Sequence, residues 1–228
     1  VTGKRVKHRA ALSRPRGGGQ SPFVAAICCV EAMGPVLCDG WDSEGQPVGV
    51  PWSRFRTPLV QVTATTDDQT DNTWTPLLEM LRGSPAEGEY GVDAMDSFVA
   101  LRRGKIEPRT SSATSVKGAR AVMAALDQTE TWLPGNGGPK LAKTLRNNAT
   151  KLGGLTIETP NAFTIGERSV AETTARFGEL VAAGKVKKEA ARTLLYDHRG
   201  ASLDTDIAER ESLIEGLRVA YGDASGDP

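Results

Sequence analysis

The chain has 228 residues, 39% hydrophobic and 25% charged, with 28 basic residues balancing 28 acidic ones. That length can bury one sizeable core and carry a small appended lobe, and no stretch reaches the roughly eighteen apolar residues of a helical membrane span, so such a span is excluded. Three cysteines and two histidines give neither a disulfide framework nor zinc-ligand spacing, which fits a reducing, cytoplasmic setting.

The balanced charge is unevenly spread. Residues 1–20 hold Lys4, Arg5, Lys7, Arg9, Arg14 and Arg16 with no acid, an arm that either meets phosphates or stays solvated. Arg9 to Ser13 reads as an extended segment entering the loop Arg14-Pro15-Arg16-Gly17-Gly18-Gly19. Ser21 and Pro22 open a buried helix that Gly34-Pro35 ends. Residues 36–57 form a glycine- and proline-punctuated excursion with short strands. Pro58 to Ala64 is β-rich, and Asp67 or Asp68 is placed to cap a helix carrying Trp74, Leu77, Leu78 and Leu81. Ser84 to Gly91 reads as a turn region, and Lys105 to Ser112 as a polar segment with weak strand character.

Ala121 to Leu126 is a near-continuous apolar run ending at Asp127, as expected of a strand inside a parallel sheet. A glycine-rich turn over Pro134 to Pro139 leads into a helix over Lys140 to Lys151, which Gly153-Gly154 stops. Leu155 to Thr159 is the next strand. Helical spacing follows over Val170 to Ala183 and Lys187 to Leu195, and an acidic helix runs from Glu209 to Tyr221. Strands alternating with helices, with glycine turns between them, predict an α/β fold whose mostly parallel central sheet is flanked by helices.

Two segments carry chemistry. Arg14 to Ser21 sets three glycines between an extended segment and a helix N-terminus, the context of a nucleotide-binding P-loop. Glycines let successive N–H groups turn towards phosphate oxygens, the helix dipole adds attraction, and Ser21 stands where a hydroxyl would hold magnesium. Gln20 occupies the position of the lysine that reaches the β- and γ-phosphates, leaving Arg14 or Arg16 to supply charge. An ordinary glycine-rich loop is the competing reading.

The second segment is Leu126-Asp127-Gln128-Thr129-Glu130, at a strand's carboxyl end, where open parallel sheets bind ligands. Asp127 can hold a magnesium hydration shell there, or it can be a plain capping residue. A water-activating carboxylate is wanted at the next position, where Gln128 stands. Glu130 is the nearest spare carboxylate, and an alternating strand would have to bend to present it. Trp74 and Trp132 read as packing residues, and Cys28 and Cys29 as small hydrophobes of a buried helix.

With these motifs in place, the chain resembles a family. Arg14 to Pro35 resembles the Walker A segment and following helix of tailed-phage terminase large subunits, particularly those of phages infecting actinobacteria. Leu126 to Gly138, with its Trp132, resembles their Walker B strand end. Glu158-Thr159-Pro160-Asn161-Ala162-Phe163 and Gly166 to Glu172 resemble the coupling motif and its downstream helix. Leu195 to Arg199 and Tyr221-Gly222-Asp223 resemble the passage leading out of the ATPase domain.

The resemblance covers nearly the whole chain and implies a P-loop NTPase domain over residues 1–200, then an acidic helical linker over 201–228. It implies an adenine-holding segment before Val1 and a nuclease domain of ribonuclease-H type after the linker. The implied function is ATP-driven translocation of double-stranded DNA into the phage prohead, in the host cytoplasm, with ATP and Mg2+ as cofactors. Implied partners are the portal protein, the terminase small subunit and further copies in a ring formed on the prohead. Gly17, Gly18 and Gly19 would wrap the phosphates, with Arg14, Arg16, Gln20 and Ser21 beside them. Ser21 and Asp127 would attend magnesium, Gln128 stands where the family has its catalytic glutamate, and Thr159, Pro160 and Asn161 would sense the γ-phosphate. Arg120 is a candidate for the trans-acting arginine, and Lys185, Lys187 and Lys188 either touch DNA or form a solvated helix end.

Gln20 and Gln128 depart from the family pattern at positions where charge drives phosphoryl transfer, so the isolated chain is expected to hydrolyse ATP weakly. Two alternatives stay open. One is a catalytically impaired nucleotide-binding or assembly module from a split or decayed prophage gene. The other is a P-loop ATPase unrelated to packaging, which the segment from Glu158 to Glu172 does not support.

Overall fold

The structure, a computed structural model, describes residues 4–110, 118–202 and 204–222. Its spine is an eight-stranded sheet in the order β10-β1-β9-β8-β4-β7-β6-β5. In chain order these strands are β1 (Arg9–Ser13), β4 (Leu59–Ala64), β5 (Asp93–Ala94), β6 (Val99–Ala100), β7 (Lys105–Thr110), β8 (Met123–Asp127), β9 (Leu155–Thr159) and β10 (Leu194–His198). The six from β10 to β7 are parallel, and β6 and β5 close one edge as an antiparallel pair. A separate hairpin, β2 (Leu37–Trp41) with β3 (Pro47–Val50), accounts for the excursion after the first helix.

Every residue of β8 is buried because both faces of the sheet are covered. Met123 and Ala125 enter the larger core, formed with α1 (Gln20–Met33) and α2 (Asp67–Leu81) through Val24, Cys28, Trp74 and Leu77. Ala124 and Leu126 face the other way, towards Trp132, α4 (Gly138–Lys151) and the start of α5 (Val170–Ala182). A period of two thus feeds one strand into two cores. The remaining helices are α3 (Ala86–Tyr90), α6 (Lys188–Thr193) and α7 (Arg210–Tyr221).

Several expectations need correction. Thr66, not Asp67 or Asp68, caps α2: its hydroxyl accepts the Gln69 amide, while both aspartates sit in the first turn, where carboxylates complement the helix dipole. The turn region at 84–91 contains the short helix α3. The helical spacing over Lys187 to Leu195 stops at Thr193, and Leu194–His198 pairs as a full strand along β1. The polar segment from Lys105 is a six-residue strand to Thr110; Ser111 and Ser112 lie outside the described residues, as does Asp223.

The basic arm is pinned to the fold at several points, while Lys4, Lys7 and Arg16 stay exposed. Arg5 pairs with the buried Glu31, Lys7 donates to the Leu194 carbonyl, and Arg9 pairs with the buried Glu158. The buried carboxylates demand partners, which draws Arg5 and Arg9 inward.

Candidate functional site

The loop between β1 and α1 sits at the carboxyl edge of the sheet. Gly17 and Gly19 hold left-handed backbone (φ 83° and 72°), a conformation that a residue with a Cβ adopts at a cost. Gly19 is the N-cap of α1 and carries no side chain to satisfy its first amides, and no acid stands in the first turn. The helix therefore presents unpaired N–H groups and positive dipole charge to the space above the loop.

That space is a cleft of about 570 Å³ lined by residues Arg16 to Pro22, Asn72, Asp127, Gln128, Thr159 and Asn161. Two motifs far apart in sequence therefore meet. Asp127 is buried, and its two carboxylate oxygens each accept a hydroxyl: Thr159 Oγ1 on Oδ1 and Thr73 Oγ1 on Oδ2, both at 2.8 Å. Burial pushes the Asp127 carboxyl above its ordinary value, and the hydroxyls and the Gln128 amide pull against that shift. Trp132 fixes the strand end by donating its indole N–H to the Asp127 carbonyl at 2.9 Å.

After Asp127 the strand does bend. Gln128 takes a left-handed conformation (φ 51°), and residues Thr129–Thr131 turn as a 3-10 segment. Glu130 then accepts from the Asn161 amide at 2.8 Å, with burial raising its carboxyl above the ordinary value.

No family model matches the chain. The gene 13 proteins of Mycobacterium phages L5 and D29 are each 31% identical to it over 247 residues, covering 99% of this chain and 40% of theirs. The chain thus spans well under half the length of the curated relatives it matches. Among solved structures, the large terminase of bacteriophage HK97 matches with a TM-score of 0.68 at 14% identity, over 97% of this chain and 41% of that one. The large-terminase ATPase domain of Thermus phage P74-26 matches with a TM-score of 0.56 at 13% identity, over 96% and 85%. The chain shares the fold of these phage large-terminase structures and is related in sequence to the gene 13 proteins.

Within the terminase fold, the residues singled out from sequence divide into three groups. Arg16, Gly17, Gly18, Gly19, Gln20, Ser21, Asp127, Gln128, Thr159 and Asn161 share the cleft. Pro160 takes part through its backbone, its carbonyl accepting from the Arg14 amide at 3.3 Å and from Gln20 Nε2 at 3.1 Å. Arg14 and Glu130 do not line the cleft. Arg14 turns to the sheet edge, where it pairs with Asp197 of β10 and donates to the Asp197 carbonyl at 3.0 Å. Arg16 is therefore the cation in the cleft lining, and its guanidinium makes no ion pair among the described residues.

Gln20 lies across the floor, its amide donating to the Leu12 carbonyl at 2.5 Å as well as to Pro160. Arg120 is exposed just before β8. Asn72 and Thr73 escape sequence reasoning. They sit in a polar run of α2 without motif, and the signal that places them at the cleft is tertiary.

Proposed function

We propose that this chain is the ATPase portion of a terminase large subunit, which binds ATP in the cleft and uses its hydrolysis to drive double-stranded DNA into a prohead. The observation that carries the reading is the meeting of the glycine loop, the open N-terminus of α1 and the buried Asp127 around one cleft. Its volume lies in the usual range for small-ligand sites. The match to a terminase ATPase domain over most of both chains supports the same reading.

Amides at Gly17, Gly19, Gln20 and Ser21 bind the phosphates while the Gly18 amide closes the turn on Pro15, and Arg16 adds the positive charge. The oxygen-only donor set of Ser21 and Asp127 suits magnesium, a hard cation that travels on nucleotide phosphates and keeps several waters. When bound, magnesium neutralises charge on the β- and γ-phosphates. Asp127 holds its water shell, Gln128 orients a water by hydrogen bonding, and Thr159, bonded to Asp127, links the site to the Pro160–Asn161 segment. Portal protein, small subunit and a ring of copies on the prohead, all in the host cytoplasm, are the partners this role entails. Residues 1–200 form the ATPase domain and 201–228 its linker.

A binding titration tests the reading. A fluorescent ATP analogue with magnesium should bind saturably, and Arg16→Ala should weaken binding about tenfold or more, the worth of one charge-assisted hydrogen bond. No saturable binding to the unmodified chain, or an unchanged affinity in Arg16→Ala, removes the reading. The competing role as a structural module draws on Gln20 and Gln128, and it predicts the first of those negative results.

A further inference from the structure

We infer that Thr73 of α2 is a positioning residue for Asp127, holding that carboxylate in the orientation that receives magnesium; the inference rests on the nucleotide-binding reading of the cleft. Thr73 is fully buried, and its hydroxyl lies 2.8 Å from Asp127 Oδ2. A threonine inside a helix commonly turns its hydroxyl back to the carbonyl one turn earlier. Thr70 of the same helix does so, bonding the Thr66 carbonyl at 3.0 Å. Thr73 instead commits its single O–H donor to a carboxylate 54 residues away.

The geometry around it is specific to the cleft. Asp127 Oδ1 is already held by Thr159, so the two hydroxyls grip opposite oxygens from two elements, α2 and β9. Together they fix the rotation of the carboxylate plane, and with the Gln128 backbone amide as a third donor the carboxylate still keeps a lone pair for metal-bound water. The preceding residue, Asn72, lines the cleft itself. Pro76, inside α2, has no N–H for the Asn72 carbonyl one turn earlier, so that helical bond is absent. A residue pair on α2 thus reaches the site from an element separate from the coupling segment.

Removing the hydroxyl with the shape kept isolates this role. In the full chain, Thr73→Val should raise the magnesium concentration for half-maximal binding of a fluorescent ATP analogue about tenfold, the scale of one hydrogen bond to a charged group. Affinity without magnesium should stay unchanged. Thr73→Ser, which restores the hydroxyl, should return the magnesium requirement to within about twofold of the original. A purely structural role would lower the melting temperature without moving the magnesium requirement. Where Thr73→Val does not fold by circular dichroism, Thr73→Ala carries the same expectation. An unmoved magnesium requirement in the folded variant, or a Ser variant as impaired as Val, overturns the inference while the nucleotide cleft stands. An unmodified chain that binds no nucleotide overturns the cleft reading and this inference with it.

Discussion

At the scale of single residues, the proposed ATP chemistry turns on two glutamines. Gln20 cannot follow charge that moves onto the γ-phosphate, and its amide is already spent on the Leu12 and Pro160 carbonyls. Gln128 faces the cleft but cannot accept a proton from water. Electrostatic stabilisers of this kind are commonly worth about 10²-fold or more each. Steady-state phosphate release by the unmodified chain should therefore fall below about one per second, the low end for competent enzymes. Introducing Gln20→Lys together with Gln128→Glu should raise it by at least about a hundredfold. Turnover at one per second without substitution, or no gain in the double variant, contradicts this account. The glycine loop and Asp127 were legible in sequence because each is a short local pattern beside an apolar strand. Thr73 was not, since a threonine in a polar helix gains meaning only when tertiary packing brings it to Asp127.

At the scale of elements, β1, β9, α4 and α5 converge on one buried charge. Glu158 is fully buried on β9 and pairs with Arg9 of β1 at 2.8 Å and Arg146 of α4 at 2.7 Å, and Thr174 of α5 donates to it at 2.7 Å. Burial pushes its carboxyl up, but Arg146 and Arg9 outweigh that and hold it below the ordinary value near 4.5. Because the folded value is depressed, the contribution to stability is fully present above about pH 4.5 and fades as pH falls through the folded value. Glu158→Gln should destabilise the fold by about 3–5 kcal/mol, since two arginines lose their counter-charge. Melting curves should differ by about 10 °C at neutral pH, and the gap should narrow below pH 4. A gap independent of pH would refute the ionic account.

The same elements show how far sequence reaches. The strand limits at Arg9–Ser13 and Leu155–Thr159 were readable because apolar residues and glycine turns bracket them. The strand β10 was hidden: it follows directly on helical spacing, carries Asp197 and His198, and finds its pairing on a strand at the other end of the chain.

At the scale of the whole molecule, the question is where the proposed ATPase domain ends, and β10 answers differently from α7. β10 pairs with β1 in register from Arg9–Leu194 to Ser13–His198, so it forms one edge of the sheet and braces the strand that enters the loop. Asp197 neutralises Arg14, Lys7 bonds the Leu194 carbonyl, and the Arg199 amide bonds Ser13 at 2.9 Å. α7 is held more lightly near the site, through the Tyr221 hydroxyl on the Arg16 carbonyl at 3.0 Å, and it exposes Leu213, Leu217 and Val219. A chain cut after Gly200 should keep its cooperative melt within about 10 °C of the full chain, because no sheet strand is lost. Its affinity for a fluorescent ATP analogue should fall about fivefold, the worth of one neutral hydrogen bond that steadies the loop. A chain cut after Lys187 loses β10, strands Arg14 and Lys7, and leaves β1 as an open edge prone to pairing with other chains. That shorter chain should aggregate or melt without cooperativity. Circular dichroism and light scattering on the two truncations decide the matter: collapse of the first, or a second as stable as the full chain, would move the boundary away from residue 200.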